Sequence, residues 1–161
     1  MFDIYETIAQ VAVAIVGFVA IVAAINRDEI STELQHVLMQ NVLFEPIAVV
    51  MFALLPQVLV SSEIGVDQSL TISLVAFAVV HLYLSYWVFS RFRPHLGVEM
   101  PKALTLTLIS LAVALCLVQL TSVVVSLPIP TEFLYLIGLY WLLAMCFLNF
   151  VMLFVLKRND A

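Results

Sequence analysis

The sequence predicts an all-α integral membrane bundle of five transmembrane helices, forming one domain over residues 1–161. The first reason is composition. Of the 161 residues, 65% are hydrophobic and only 11% are charged, whereas soluble domains are nearer half apolar and a quarter charged. The second reason is five apolar runs, each close to the roughly 20 residues that cross a bilayer. They cover residues 4–25, 43–60, 70–89, 103–127 and 133–156.

The third observation concerns the basic residues, which all fall on one side of a five-helix topology. They are Arg27, Arg91, Arg93, Lys102, Lys157 and Arg158. Because cytoplasmic connectors hold the excess of Lys and Arg, we expect the N-terminus outside and the C-terminus inside, in a plasma (inner) membrane. All charged residues on the outer side are then acidic. Their negative potential would attract small cations, although acids are also tolerated outside because they contribute little to topology.

The first run has an ordered stripe of polar and then small residues along one helix face. Two interpretations stay open. Small residues such as Ala20 allow another helix to approach closely. Alternatively, copies of this helix surround an axis, with a polar mouth and an apolar constriction. A five-helix monomer has little room for a lumen, so conduction would need a homo-oligomer. The candidate pathway residues on the stripe are Glu6, Gln10, Gly17, Ile21 and Ala24.

The connector after the first run, residues 28–44, has apolar residues at helical spacing and is predicted to be a cytoplasmic amphipathic segment. Thr32 and Gln35 have the spacing of a capping box, which favours a helix start near Thr32. Two arrangements are open. The segment lies along the interface as a separate helix, or it is the cytoplasmic end of one long second helix that continues through Pro46.

Glu45 in the second run is the candidate inner cation or proton site. An ionisable side chain inside a span is a functional hypothesis, and Pro46 leaves the carbonyl of Val42 without its helical donor. A carboxylate beside a free carbonyl is suited to a cation or a proton. The competing interpretation places Glu45 at the inner interface, where it reaches solvent or Arg27.

Three further residues in the later runs are candidates for a proton or polar site. His81 lies close to mid-depth in the third run, and a lone membrane histidine is also explained by a bond to a neighbouring carbonyl or hydroxyl. Gln119 and Asn149 lie on faces of small residues, which favours hydrogen bonding between helices. Cys116 and Cys146 are expected to act as small apolar fillers.

Three apolar stretches carry a resemblance: VGFVAIV at 16–22, FALLP at 52–56 and YLIGLYWLL at 135–143. On these stretches the chain resembles a group of small uncharacterised bacterial multi-spanning membrane proteins, which implies no function, cofactor or site residue. The helix around Gly17 and Phe18 is also similar to the pore-lining first helix of Orai calcium channels. That similarity covers one span, and no pore residue is transferred from it.

The sequence lacks metalloprotease, serine-hydrolase and phosphate-loop motifs, so we expect no enzyme activity, no metal site and no cofactor. Its few basic residues argue against nucleic acid as a partner. The expected function is an oligomeric membrane channel or pore for small cations, with the lipid bilayer and copies of the same chain as partners. Two alternatives are a non-conducting accessory subunit that binds another membrane protein, and a small proton-coupled secondary transporter using Glu45 and His81.

Overall fold

The computed structural model describes residues 3–25, 32–97, 101–125 and 127–159, and the side chains of these residues except 23 and 154–159. Within these ranges the backbone forms five long α-helices and one short 3-10 turn at Arg93–His95. The helices are α1 (Asp3–Ile25), α2 (Glu33–Ser61), α3 (Val66–Phe92), α4 (Lys102–Val125) and α5 (Thr131–Asn159).

All five helices are long and apolar enough to cross a membrane, which confirms the predicted all-helical class and the number of candidate spans. In each span only 17% to 33% of the residues in its apolar window are buried within the chain. Most of the apolar surface therefore points away from the protein. A soluble protein rarely exposes continuous apolar surface of this extent, whereas a bilayer solvates it.

Helix α2 begins about ten residues before the predicted second span, because a capping box holds its first turn. The backbone N–H of Gln35 donates to Oγ1 of Thr32 at 3.2 Å, and the N–H of Thr32 donates to Oε1 of Gln35 at 3.2 Å. The helix then continues without a break through Pro46 to Ser61. From Glu33 onward, the predicted amphipathic segment is thus part of one long second helix, and residues 28–31 lie outside the described residues.

The end of α2 is a Schellman motif built around a residue in the left-handed region. Glu63 has φ 66°. Its N–H donates to the carbonyl of Val60 at 3.1 Å, and the N–H of Ile64 donates to the carbonyl of Leu59 at 3.3 Å. These two bonds satisfy carbonyls that the helix end would leave free. Gly65 then precedes the first turn of α3 as its N-cap residue.

The chain divides into two compact units. The first comprises Met1–Leu54 and Leu139–Ala161, and the second comprises Leu55–Gly138. The first unit contains a buried cluster of Val19, Val42 and Cys146. The second unit contains the packed pair α3 and α4. The expectation of a single domain stays a prediction.

Candidate functional site

The stripe predicted on the first span lies on the exposed side of α1. Asp3, Glu6, Gln10, Gly17, Ile21 and Ala24 are all exposed, and the side chain of Ile21 is 61% exposed. A Cβ built on Gly17 would meet no atom within 4 Å. The opposite side of α1 is buried, at Tyr5, Ile8, Ala9, Ala12 and Val19. Helix α1 therefore packs through one face and leaves the stripe outside.

This exposure bears on the two interpretations of the stripe. Close packing against another helix of the same chain would bury Ala20 and Ala24, and both are exposed. The surface that the stripe offers is thus available to a neighbouring molecule, either lipid or protein. The structure does not bring Glu45 onto this surface, because Glu45 is only 9% exposed on a different helix.

Glu45 forms a bidentate hydrogen bond with Asn149 inside the first unit. The Nδ2 group of Asn149 donates to Oε1 of Glu45 at 3.0 Å and to Oε2 at 3.1 Å. Both residues are buried, and Asn149 is only 3% exposed. The two residues are 104 positions apart in sequence. Glu45 and Asn149, which lie in separate apolar runs of the sequence, therefore form one buried pair between α2 and α5.

The carbonyl that Pro46 frees is bonded to a thiol. The Sγ of Cys146 donates to the backbone oxygen of Val42 at 3.7 Å, one helical turn before Glu45. Thiols are weak donors, but in a membrane helix an unbonded carbonyl is costly. The sequence predicts Cys146 to be a small apolar filler. Its thiol also donates a hydrogen bond. The sequence signal for this contact is a carbonyl left without its helical donor by a proline, together with a thiol on a helix face of small residues.

Asn41 completes the polar part of this seam. It lies one turn before Glu45 on the same face of α2 and is 1% exposed. Its Nδ2 group has no hydrogen-bond partner among the described residues. We define the α2–α5 polar seam as Asn41, Glu45, Cys146, Asn149 and the carbonyl of Val42. Asn41 thus gives the seam a buried N–H donor that no described residue accepts from.

In the second unit, Gln119 on α4 forms a hydrogen bond with the start of α5. Its Nε2 group donates to the carbonyl of Leu134 at 2.9 Å, while its Oε1 is buried without a partner in the described part of the chain. Gln119 is fully buried. A Cβ placed on Gly138 would collide with the Gln119 amide and with the ring of Phe77. Glycine at 138 is thus what allows the helices to approach closely here.

His81 packs against an aromatic ring in the second unit. Its ring lies 5.3 Å from that of Phe77, and Phe77 in turn meets Tyr135 edge-on at 5.8 Å. His81 is 3% exposed, and its Nδ1 has no partner among the residues described. Sequence reasoning missed Phe77 as the centre of this cluster, because one phenylalanine among many in apolar spans gives no signal.

The described residues contain no group of three or more His, Cys, Asp or Glu side chains arranged to hold a metal ion. The chain matches no family model. No curated protein is similar to it, and no solved structure resembles it. The two polar clusters and the exposed stripe therefore have to be interpreted from their own geometry.

Proposed function

We propose that the protein is an oligomeric pore for small cations in the plasma membrane, lined by the stripe of α1 from several copies of the chain. The observation that carries the proposal is the exposure of the whole stripe, including Gln10. Gln10 lies about 10 Å along the helix axis from Asp3. At that depth lipid offers no hydrogen-bond partner to a carboxamide, and leaving one unsatisfied costs several kcal/mol.

The pore would have a polar mouth and an apolar throat. With the N-terminus outside, the exposed Glu6 carboxylates and Gln10 amides of neighbouring copies form a ring at the outer entrance, and rings of acids favour cations. Further in, Ile21 and the small residues Gly17 and Ala24 form the hydrophobic constriction. Glu45 is buried on α2, so we do not place it on the wall of this pore.

The assembly is tested by cysteine cross-linking between copies. Ile21→Cys lies on the stripe and Val11→Cys on another side of α1, and the native side chains are 61% and 47% exposed. Native Cys116 and Cys146 are fully buried, so background cross-linking is low. The proposal predicts dimers on oxidation of the Ile21→Cys protein in nanodiscs and none for Val11→Cys. A monodisperse monomer with no cross-link at Ile21→Cys would exclude the pore.

Conduction is tested separately by cation flux into vesicles. Glu6→Gln removes the charge at the mouth and should lower the flux, while Glu33→Gln, which neutralises an exposed acid at the start of α2, should leave it unchanged. Cross-linking at Ile21→Cys without any flux would favour the accessory-subunit alternative, in which the same face binds copies or another membrane protein.

A further inference from the structure

Within the described part of the chain, no positive charge lies against the carboxyl group of Glu45. Among the described residues its only hydrogen-bond partner is the neutral amide of Asn149, and neither Lys nor Arg pairs with it there. An isolated buried carboxylate is expensive at membrane depth. The group therefore needs a positive counterpart, and the two candidates are a bound metal cation and a proton.

The neighbouring polar groups favour a proton. Asn149 points its N–H donors at both carboxyl oxygens, so nitrogen rather than oxygen occupies the positions that a metal cation would need. The second observation is Asn41, whose side chain is 1% exposed and whose unpartnered group is again an N–H donor. The backbone oxygen of the seam, the carbonyl of Val42, already accepts from Cys146, whereas a Ca²⁺ or Mg²⁺ ion takes about six oxygen ligands.

We propose that the α2–α5 polar seam is a proton-binding site, with Glu45 as the residue that takes up and releases the proton. Uptake converts the carboxylate and one proton from water into a neutral carboxylic acid, with no other bond formed or broken. The Asn149 amide holds the carboxylate through both oxygens. In the acid form one oxygen still accepts from Asn149, and the new O–H donates to the carbonyl of Val42, which the proline leaves without an N–H donor.

Among the described side chains, few other titratable groups face this site. On α5 the one described is Cys146, which donates to Val42. On α2 itself, Glu33 and His36 are exposed and more than two turns away. The neighbouring part of α1 contributes Ile15 and Val19 to the cluster around Val42. The side chains of Arg27, Asp28, Lys157 and Arg158 lie outside those described.

The site is placed to influence the pore helix. Val19 on the buried face of α1 packs directly against Val42 and Cys146, which belong to the seam. Uptake of a proton removes one Asn149 bond and moves a donor toward Val42. The packing behind α1 thus changes with the protonation of Glu45. This coupling rests on the proposed pore, whereas the proton site itself does not.

Infrared difference spectroscopy of the full chain in nanodiscs tests the site directly. A carboxyl group that is free in water is ionised near neutral pH. A pH step in that range should therefore show one band of a protonated carboxylic acid. The band should shift when the protein carries isotope-labelled glutamate, and it should be absent in Glu45→Gln, which keeps an acceptor for Asn149. Exposed Glu63→Gln is the matched control and should keep the band.

Three results would overturn the proposal: no band in the wild type, a band that survives in Glu45→Gln, or a band unmoved by Asn149→Ala. A further arm distinguishes a metal cation. If sodium or potassium at constant pH raises the unfolding temperature of the wild type but not of Glu45→Gln, a cation occupies the seam and the proton proposal fails. Because the infrared band does not require conduction, failure of the pore leaves this result unaffected.

Discussion

At the scale of single residues, glycine at 138 matters for a steric reason. The space where a Cβ would stand is occupied by the ring of Phe77 and the amide of Gln119. The Gln119 amide is fixed by its bond to the Leu134 carbonyl, and Phe77 is fully buried. Neither neighbour is free to move aside. A methyl group at this position therefore forces a shift in the packing of the second unit.

We expect Gly138→Ala to lower the free energy of unfolding by about 1–3 kcal/mol, the usual range for overpacking. Gly17→Ala is the matched control, since its Cβ meets nothing within 4 Å and alanine is the better helix former. Unfolding by SDS titration in mixed micelles, followed by circular dichroism, measures both. Equal stability of Gly138→Ala and the wild type would contradict the packing described around Phe77.

The residue scale is also where sequence reasoning was least complete. Glu45, His81, Gln119 and Asn149 could each be picked out, because a polar side chain in an apolar run is conspicuous. Which of them meet could not be predicted. The Glu45–Asn149 pair joins residues 104 positions apart, so it depends on how the helices are arranged. No local pattern in the sequence contains that information.

At the scale of elements, the end of α2 carries strain that substitution can relieve. Glu63 adopts φ 66° in the Schellman motif, a position that glycine usually fills because a Cβ is unfavourable there. Glu63 is exposed, and its side chain is not required by the two backbone bonds of the motif.

Glu63→Gly should therefore raise the free energy of unfolding by about 0.5–1 kcal/mol. The opposite substitution, from glycine to a residue with a Cβ, can be made at Gly97. This glycine has φ 83° and open space around it. Gly97→Ala should lower the stability by about 1 kcal/mol through backbone strain alone. The same SDS titration compares the two proteins. A loss of stability in Glu63→Gly would mean that its carboxylate has a role that the backbone geometry does not reveal.

The boundaries of the helices show why most, but not all, of the fold could be predicted. Spans one, three, four and five are continuous in hydropathy, and their helices begin and end within about four residues of the predicted apolar runs. Helix α2 differs because Glu33, His36 and Asn41 interrupt the apolar run while the helical spacing continues. Here the Thr32–Gln35 capping box, rather than hydropathy, marked the true start.

At the scale of the whole molecule, the placement of basic residues leads to a prediction about topology. The rule for Lys and Arg places the N-terminus outside and the C-terminus inside. A cysteine introduced at Asp3, with native Cys116 and Cys146 fully buried, should react in intact cells with a thiol reagent that does not cross membranes.

A cysteine introduced at Glu33, the exposed first residue of α2, is the matched control and should react only after the membrane is opened. Reaction at Glu33→Cys but not at Asp3→Cys in intact cells would reverse the orientation. The ring of Glu6 carboxylates would then face the cytoplasm, and the proposed attraction of cations from outside would no longer apply.

The proline in α2 has a mechanical consequence. Pro46 removes one backbone hydrogen bond from the interior of α2, as Pro56 does further along, so bending costs less at this turn than in an unbroken helix. Glu45 lies directly before Pro46, and its hydrogen-bond partner Asn149 belongs to another helix. Val42, just before this turn, is fully buried, so a bend here would disturb apolar packing as well as the amide–carboxyl pair. Bending at the proline is therefore opposed by a polar contact between two helices as well as by the apolar side chains around it.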